Sequence, residues 1–321
     1  MRDAILALAK QFSWQPIVER PRKRKFKKIV VAGMGGSHLA ADILQSVHSE
    51  LPLRVHRDYG LPHIPVSERS STLLIASSYS GNTEETLDAF EEARKTGIAT
   101  AAIAIGGKIE KMARQNRVPY VQMPDTGIQP RSALGFSIKG LCALMELEGV
   151  NSELSMLART LKPASLEDRG KKLARTLKGS IPLIYASTRN EAVAYNWKIK
   201  FNETGKIPAF YNVLPELNHN EMTGFDHTQK NAALSKRFHV LFLTDEEDHP
   251  RTQKRMAILR KLYQARGLAN TIVSLRGANR WMKIFSSLIL ADWAAVHVAA
   301  LYGAESEQVP MVEEFKKMIM R

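Results

Sequence analysis

A glutamate and a histidine in the second half of the chain have the types and spacing best suited to proton transfer. Glu203 closes a helix predicted over residues 191–203, and His219 follows in a segment rich in proline and asparagine. A carboxylate can act as a general base, and an imidazole can accept or donate a proton near neutral pH. We therefore expect acid–base chemistry from this pair, although a helix-end glutamate or a loop histidine standing alone is more often structural.

Two turns upstream combine glycine with hydroxyl side chains, and each follows a predicted strand. The first is Gly33-Met-Gly-Gly-Ser37, and the second is Ser77-Ser-Tyr-Ser-Gly-Asn-Thr83. A strand, a glycine turn and a helix together point free backbone N–H groups and the positive helix end at an anion. We expect a phosphate to be bound by Gly35, Gly36, Ser37, Ser78, Ser80 and Thr83. The alternative is that the hydroxyls only cap the second helix, where Asn82 and Glu85 fit a capping box.

The kind of phosphate compound is narrowed by what these turns lack. The first turn has no third glycine at the offset of a dinucleotide fingerprint, and no acidic residue is clearly placed for a ribose. Neither turn carries a Walker lysine. These features disfavour NAD and ATP and favour a compact phosphomonoester. The sequence therefore predicts an enzyme that moves a proton on a phosphorylated small molecule.

Both halves of the chain alternate β-prone runs with amphipathic helices, which is typical of an α/β fold with parallel sheets covered by helices. Strands are expected at residues 28–33, 72–77, 99–105, 120–123, 181–186, 238–244 and 270–275. Helices are expected at 83–96, 191–203, 249–264, 281–301 and 309–319, with a helical bridge over 133–178. The predicted domains are 1–150, which binds phosphate, and 151–321, which carries the base and the histidine.

The composition is that of an ordinary globular protein. Hydrophobic residues make up 44% of the 321 residues, and no apolar run approaches the roughly 20 residues of a membrane span. Cys142 is the single cysteine, which excludes a disulfide framework or a multi-cysteine zinc site and suits a reducing cytoplasm. The net charge of +14 admits nucleic acid, anionic lipid or phosphorylated metabolites. The basic cluster at residues 20–28 is more typical of a solvated lead-in to a strand, so nucleic acid is not the expected partner.

The two turns resemble the sugar isomerase (SIS) domain, and Leu214-Pro-Glu-Leu-Asn-His-Asn-Glu221 is similar to the bifunctional phosphoglucose/phosphomannose isomerase family. The resemblance covers nearly the whole chain and implies two SIS-type, flavodoxin-like subdomains. It implies an aldose–ketose isomerase without cofactor or metal, which interconverts glucose 6-phosphate with fructose 6-phosphate through a cis-enediol(ate). Whether mannose 6-phosphate is a further substrate stays open.

The same resemblance implies roles for individual residues. Glu203 is implied as the base at the sugar carbons. His219 is implied as the ring-opening acid/base, which enters the site from the partner subunit of a homodimer. Arg131 is implied as the residue that stabilises the enediolate, a task that a fixed guanidinium can fill. A phosphosugar-binding regulatory SIS protein without isomerase activity is the alternative, although such a sensor would need neither the base nor the histidine.

A C-terminal lysine is also implied to assist ring opening, and both Lys316 and Lys317 match it. Helix geometry favours Lys316, because it shares a face with Val312 and Ile319. The segment just before this helix departs from the family, since residues 304–310 stand where an Asp-Pro-Thr-Pro-like turn is common. That departure is why acceptance of both the glucose and the mannose epimer stays open.

Overall fold

The protein was analysed as a computed structural model that describes residues 1–22, 24–226 and 231–319. Lys23, in the predicted basic cluster, and residues 227–230 and 320–321, in the predicted domain 151–321, lie outside the described residues. The chain divides into two compact units. The amino-terminal unit is Leu6–Leu161, and the carboxy-terminal unit is Lys162–Arg321 together with Met1–Ile5. This division differs from the predicted 1–150 and 151–321 in the break point and in the assignment of the first residues.

Within residues 6–22 and 24–161, six strands form one sheet with the order β1-β6-β5-β4-β2-β3. They are β1 (Val18–Glu19), β2 (Lys28–Ala32), β3 (Leu53–His56), β4 (Thr72–Ser77), β5 (Ala99–Ala104) and β6 (Tyr120–Gln122). The pairs are parallel except for β1 with β6. The chain runs from β2 to β3 on one side and then to β4 on the other. The carboxyl ends of β2 and β4 therefore lie at a topological switch point, where open parallel sheets bind ligands.

Helices cover both faces of this sheet, which is why β2, β4 and β5 are nearly continuous buried apolar runs. The unit contains α2 (Leu39–Val47), α3 (Val66–Arg69), α4 (Glu84–Lys95), α5 (Gly107–Gln115), α6 (Leu134–Leu144), α7 (Glu148–Thr160) and the end of α1 (Arg2–Gln11). On one face, Phe90 and Ile109 join Leu74 in a single apolar core. On the other, α2 packs against α6, whose Ile138 and Leu141 are fully buried.

Within residues 162–226 and 231–319, four parallel strands form a second sheet with the order β10-β9-β7-β8. They are β7 (Ile181–Ser187), β8 (Phe210–Leu214), β9 (Phe238–Thr244) and β10 (Ala269–Ser274). The helices are α8 (Glu167–Leu177), α9 (Glu191–Glu203), α10 (Glu221–Gly224), α11 (Ala232–Ser235), α12 (Pro250–Ala265), α13 (Arg280–Leu301) and α14 (Pro310–Ile319). The predicted α/β fold with parallel sheets covered by helices is confirmed.

Helix α13 corrects one expectation from the sequence. Among the described residues it is long and apolar enough, by length and composition alone, to cross a membrane. However, 72% of its most apolar stretch is buried inside the protein, where α13 packs against α8 and α9. Its apolar composition is therefore that of a core helix, which is hydrophobic all round because its neighbours surround it.

Candidate active site

The first predicted phosphate turn is shaped by its glycines. Gly35 has a φ of 52°, in the left-handed region that favours glycine. A Cβ on Gly36 would lie 2.7 Å from the Arg131 backbone nitrogen and 2.8 Å from the Pro130 carbonyl carbon. Only a residue without a side chain lets these two backbone segments approach so closely. The glycines therefore place the turn directly against the segment that carries Arg131.

Hydrogen bonds join the two predicted phosphate turns at the carboxyl ends of β2 and β4. The Ser37 hydroxyl accepts a bond of 2.9 Å from the Tyr79 backbone N–H. The Ser77 hydroxyl donates to the Ser37 carbonyl at 2.7 Å. A serine hydroxyl that accepts one bond keeps its own proton for donation. The structure thus brings the two turns together at the switch point of the sheet.

In the second turn, two of the predicted hydroxyls face each other beside the start of α4. The Ser78 and Thr83 hydroxyl oxygens are 2.8 Å apart, and the third hydroxyl residue, Ser80, is exposed. Gly81 has a φ of 71° and so permits the chain reversal between them. The turn therefore presents hydroxyls and the amino end of a helix at one place, which is what a phosphate ester requires.

The predicted capping box of Asn82 and Glu85 is wrong. Helix α4 begins after Thr83, which makes no side-chain cap. The Asn82 side-chain oxygen instead accepts from the Lys108 backbone N–H at 3.0 Å, and its amide group donates to the Ser80 carbonyl at 3.2 Å. Asn82 is therefore held by a further glycine turn, Gly106–Gly107, which directly precedes Lys108. This turn was not predicted from the sequence. The signal available was a glycine pair directly after a predicted strand.

Arg131 is almost completely buried, with only 1% of its surface exposed. It lies in a 3₁₀ turn, Pro130–Ser132, that abuts the first phosphate turn. The Gln11 amide group donates to the Ser132 carbonyl at 2.7 Å, and its oxygen accepts from the Gly135 N–H at 2.9 Å. Gln11 therefore fixes the Arg131 turn, a role that the sequence did not indicate. Burial and fixation distinguish this arginine from an ordinary surface cation.

Tyr79 lies in the second turn, between Ser78 and Ser80, and its side chain is neutral. Its side chain is 7% exposed, and burial raises the pKa of its phenol to about 12. The phenol therefore stays neutral well above neutral pH.

Replacing Gly36 by alanine should damage this part of the protein. The added methyl group meets backbone atoms of the Arg131 turn, which cannot rotate away. We expect Gly36→Ala to lower kcat/KM about 10- to 100-fold, as displacements of about 1 Å in a binding site do. Gly149→Ala in α7 is the matched control, because nothing lies within 4 Å of its added Cβ. Steady-state kinetics of both variants test this, and wild-type kcat/KM in Gly36→Ala would contradict it.

Glu203 is the last residue of α9, a helix held firmly in the core of the carboxy-terminal unit. The apolar face of this helix lies in the core, since Val193, Trp197 and Phe201, which stand four residues apart, are fully buried. The Trp197 indole N–H donates to the Ser287 hydroxyl of α13 at 2.9 Å. These contacts fix the end of the helix, and Glu203 itself is half-buried there.

A buried ion pair near the end of α9 adds to this support. The Lys200 ammonium nitrogen lies 2.6 Å from a carboxylate oxygen of Asp292 on α13, and both side chains are at most 7% exposed. A glycine just after a helix often takes a left-handed conformation, but Gly205 does not. That conformation belongs to Lys206, with a φ of 56°. Glycine is needed at 205 because an added Cβ would lie 2.7 Å from the Phe201 carbonyl oxygen.

His219 ends a 3₁₀ turn, Glu216–His219, which follows β8. The sequence suggested only a loop here, and it missed the strand that precedes the turn. The Thr188 hydroxyl donates to the Leu214 carbonyl at 3.0 Å, and Leu217 is fully buried. The imidazole of His219 is itself exposed. The backbone on its amino-terminal side is therefore anchored while the ring faces outward.

Lys316 lies on α14, a helix whose residues are exposed on all sides. Its ammonium nitrogen is 2.8 Å from a carboxylate oxygen of Glu313, one turn earlier. The apolar face used to choose Lys316 over Lys317 is not buried, since Val312 is 45% and Ile319 53% exposed. The choice of Lys316 therefore stays a prediction.

The second sheet carries a different chemistry at its own switch point. Two carboxylates, Asp245 and Asp248, follow β9 there. Asp245 accepts from Lys283 at 2.9 Å and from Arg280 at 2.9 Å. Asp248 accepts from the Ser187 hydroxyl at 2.6 Å. Carboxylates would repel a phosphate, so this edge is built as an ion-pair network, unlike the hydroxyl turns of the first sheet.

A cavity of about 520 Å³ opens beside this network, at the carboxyl ends of β9 and β10. Its size is that of a small-molecule pocket. Its polar walls include Asp245 and Asp248, which are already paired, and its floor includes Phe242, Met256 and Ile272. None of the predicted site residues is among the described residues that line it. We therefore do not place the phosphate there.

The chain is similar to known proteins over most of its length. The family model for the bacterial phospho-glucose isomerase C-terminal SIS domain matches residues 166–319. The bifunctional phosphoglucose/phosphomannose isomerase of Aquifex aeolicus is 33% identical over 317 residues, covering 97% of this chain and 95% of the relative. That of Caldicellulosiruptor bescii is 35% identical over 311 residues, covering 91% and 89%. Glucosamine-6-phosphate deaminase from Thermotoga maritima superposes with a TM-score of 0.70 at 16% identity, covering 96% and 95%.

The structural likeness and the family model define an SIS-type fold. The sequence identity to relatives that match over nearly their whole length shows the family as well as the fold. The chain belongs to the bifunctional phosphoglucose/phosphomannose isomerase family, and it is an aldose–ketose isomerase. The alternative of a regulatory SIS protein without activity is not favoured, because the relatives are named as enzymes.

Proposed function

We propose that this enzyme interconverts glucose 6-phosphate and mannose 6-phosphate with fructose 6-phosphate. The observation that carries the proposal is the junction of the two hydroxyl turns at the switch point, with Arg131 buried against them. The relatives are named for glucose and mannose phosphates, which supports these two aldoses.

In the proposed reaction, the phosphate ester is bound by the backbone and hydroxyls of residues Gly35, Gly36, Ser37, Ser78, Ser80 and Thr83. His219 donates a proton to the ring oxygen as the bond from that oxygen to C1 breaks, and the hydroxyl proton on O1 leaves to water as the aldehyde C=O forms. The Glu203 carboxylate then removes the proton on C2 of the aldehyde, which gives the enediol(ate). The same carboxyl group returns the proton to C1, while a proton passes from the O2 hydroxyl to O1 through water, and this produces the ketose. Arg131 stabilises the negative oxygen that develops between these steps.

The remaining predictions from the family resemblance are part of this proposal. The phosphate is assigned to residues 1–150 and the proton transfer to residues 151–321. A homodimer would supply His219 from the partner subunit, and its exposure in the single chain supports that arrangement. Lys316 would assist ring opening. The protein would work in the cytoplasm, where its one cysteine, buried Cys142, would stay reduced.

A coupled assay tests the proposed substrates. Fructose 6-phosphate should be converted to both glucose 6-phosphate and mannose 6-phosphate, and in heavy water deuterium should appear at C2 of these aldose products during turnover. Conversion to glucose 6-phosphate alone would remove the mannose half of the proposal. Thermal stabilisation by the sugar phosphates without turnover or exchange would instead favour a binding protein.

A further inference from the structure

Glu221 lies two residues after His219 and is held by two strands of the sheet beneath it. One of its carboxylate oxygens accepts from the Tyr185 hydroxyl of β7. The other accepts from the side-chain amide group of Asn212 on β8. Hydrogen bonds to a charged carboxylate are roughly twice as strong as neutral ones. This half-buried carboxylate therefore ties the segment carrying His219 to the two strands.

Both donors to Glu221 are themselves fixed. Tyr185 is fully buried, and its ring packs edge-on against Phe242 with 5.8 Å between ring centroids. Burial raises the pKa of Tyr185, so the phenol keeps its proton and acts as a donor. The Asn212 side-chain oxygen accepts from the Val213 N–H at 2.8 Å, which turns its amide group toward Glu221. The position of the carboxylate is thus determined by the sheet.

The exposed imidazole stands between two anchored points of the chain. On its amino-terminal side Leu217 is buried, and on its carboxy-terminal side Glu221 is tied to β7 and β8. Between them, the Asn220 amide group donates to Glu216 at 2.9 Å. An exposed side chain that must meet a substrate gains little from its own packing. Its precision depends on how firmly the backbone on each side is held.

We propose that Glu221 is a positioning residue for His219, whose carboxylate, held by Tyr185 and Asn212, fixes the backbone that presents the imidazole for ring opening. This inference rests on the proposed function, because it assumes that His219 opens the sugar ring. Glutamine at 221 would keep the shape of the side chain. It would carry no negative charge and would offer one acceptor oxygen where two donors converge, so both hydrogen bonds would lose their charge assistance and one partner would have to turn from donor to acceptor.

Ring opening can be measured alone as the interconversion of the α and β anomers of glucose 6-phosphate. A Glu203→Gln background suppresses isomerisation, so the anomer rate then reports ring opening, the step proposed for His219. In this background we expect His219→Asn and Glu221→Gln each to slow anomer interconversion about 10- to 100-fold. The KM for the phosphosugar should stay within about twofold, because uniform binding is unchanged.

Glu216→Gln is the matched control, since it makes the same chemical change in the same segment at an exposed position, and the remaining side-chain oxygen of glutamine still accepts the single bond from Asn220. It should leave the anomer rate unchanged. If Glu221→Gln fails to fold, Tyr185→Phe removes one tie while keeping the ring, and it should slow the anomer rate about three- to tenfold at an unchanged KM.

The outcomes separate the two claims. Suppose that anomer interconversion is slow in His219→Asn but has the wild-type rate in folded Glu221→Gln. This result overturns the positioning role and leaves the proposed function intact. Where Glu221→Gln does not fold, a wild-type anomer rate in Tyr185→Phe has the same meaning. A wild-type anomer rate in His219→Asn removes the proposed role of the histidine, and the inference about Glu221 falls with it. If the anomer rate falls equally in Glu221→Gln and Glu216→Gln, the segment is disturbed in general, and the positioning role is also overturned.

Discussion

Glu203→Gln should lower kcat about 10²- to 10⁴-fold, because general-base catalysis contributes that much and an amide cannot accept the C2 proton. The substitution keeps the length and shape of the side chain at the end of α9. The helix itself is held by Trp197, Phe201 and the buried pair of Lys200 with Asp292. The KM for fructose 6-phosphate should change little, since the predicted phosphate ligands are other residues.

The measurement for this variant is the rate of isomerisation together with deuterium exchange at C2 in heavy water. Glu191→Gln is the control, because Glu191 is the exposed first residue of the same helix. It should keep wild-type kinetics. If Glu203→Gln still isomerises the sugar at more than about a tenth of the wild-type rate, the base is another residue.

Arg131→Lys should have the second largest effect, a fall in kcat of about 10²- to 10³-fold, as when one donor to a developing oxyanion is removed. Lysine keeps the positive charge and loses the planar fork of the guanidinium. Arg131 is buried in a turn that Gln11 and Gly36 hold in place, so a shorter point charge cannot recover the geometry by moving.

Steady-state kinetics with a thermal melting curve check this prediction. Arg114→Lys is the control, since Arg114 is an exposed arginine of the same unit that pairs with Glu110 at 3.0 Å and Glu19 at 2.9 Å. An isomerisation rate that is equal in Arg131→Lys and the wild type would assign Arg131 a purely structural role. A rate that falls only in step with the melting temperature would do the same.

The parts of the fold that the sequence predicted are those where burial dominates. Strands β2, β4 and β9 are continuous apolar runs, because helices cover both faces of each sheet. The missed strands lie at sheet edges, where half of each strand meets solvent and the apolar signal fades. β1 has only two residues, and β8 begins with Phe210, which is 52% exposed.

The candidate site also has features that the sequence predicted and features that it did not. The glycine turns after strands could be predicted from the sequence, because a left-handed φ or a close backbone approach requires glycine at that position. Gly35 and Gly36 are examples. Gln11 could not be found, because its bonds reach Ser132 and Gly135 from far away in the sequence. Asn82 was misread because its oxygen is taken by Lys108, a contact that only the folded chain creates.

The most direct test of the proposed chemistry is a crystal structure with a hexitol 6-phosphate, an open-chain sugar phosphate that cannot isomerise. We predict that its phosphate contacts the backbone and hydroxyls of Ser37, Ser78 and Thr83. We also predict that its C2 lies within about 3.5 Å of the Glu203 carboxylate, the distance of a reactive arrangement. A phosphate bound at the Asp245 edge of the second sheet, or a C2 atom out of reach of Glu203 in every subunit, would contradict it.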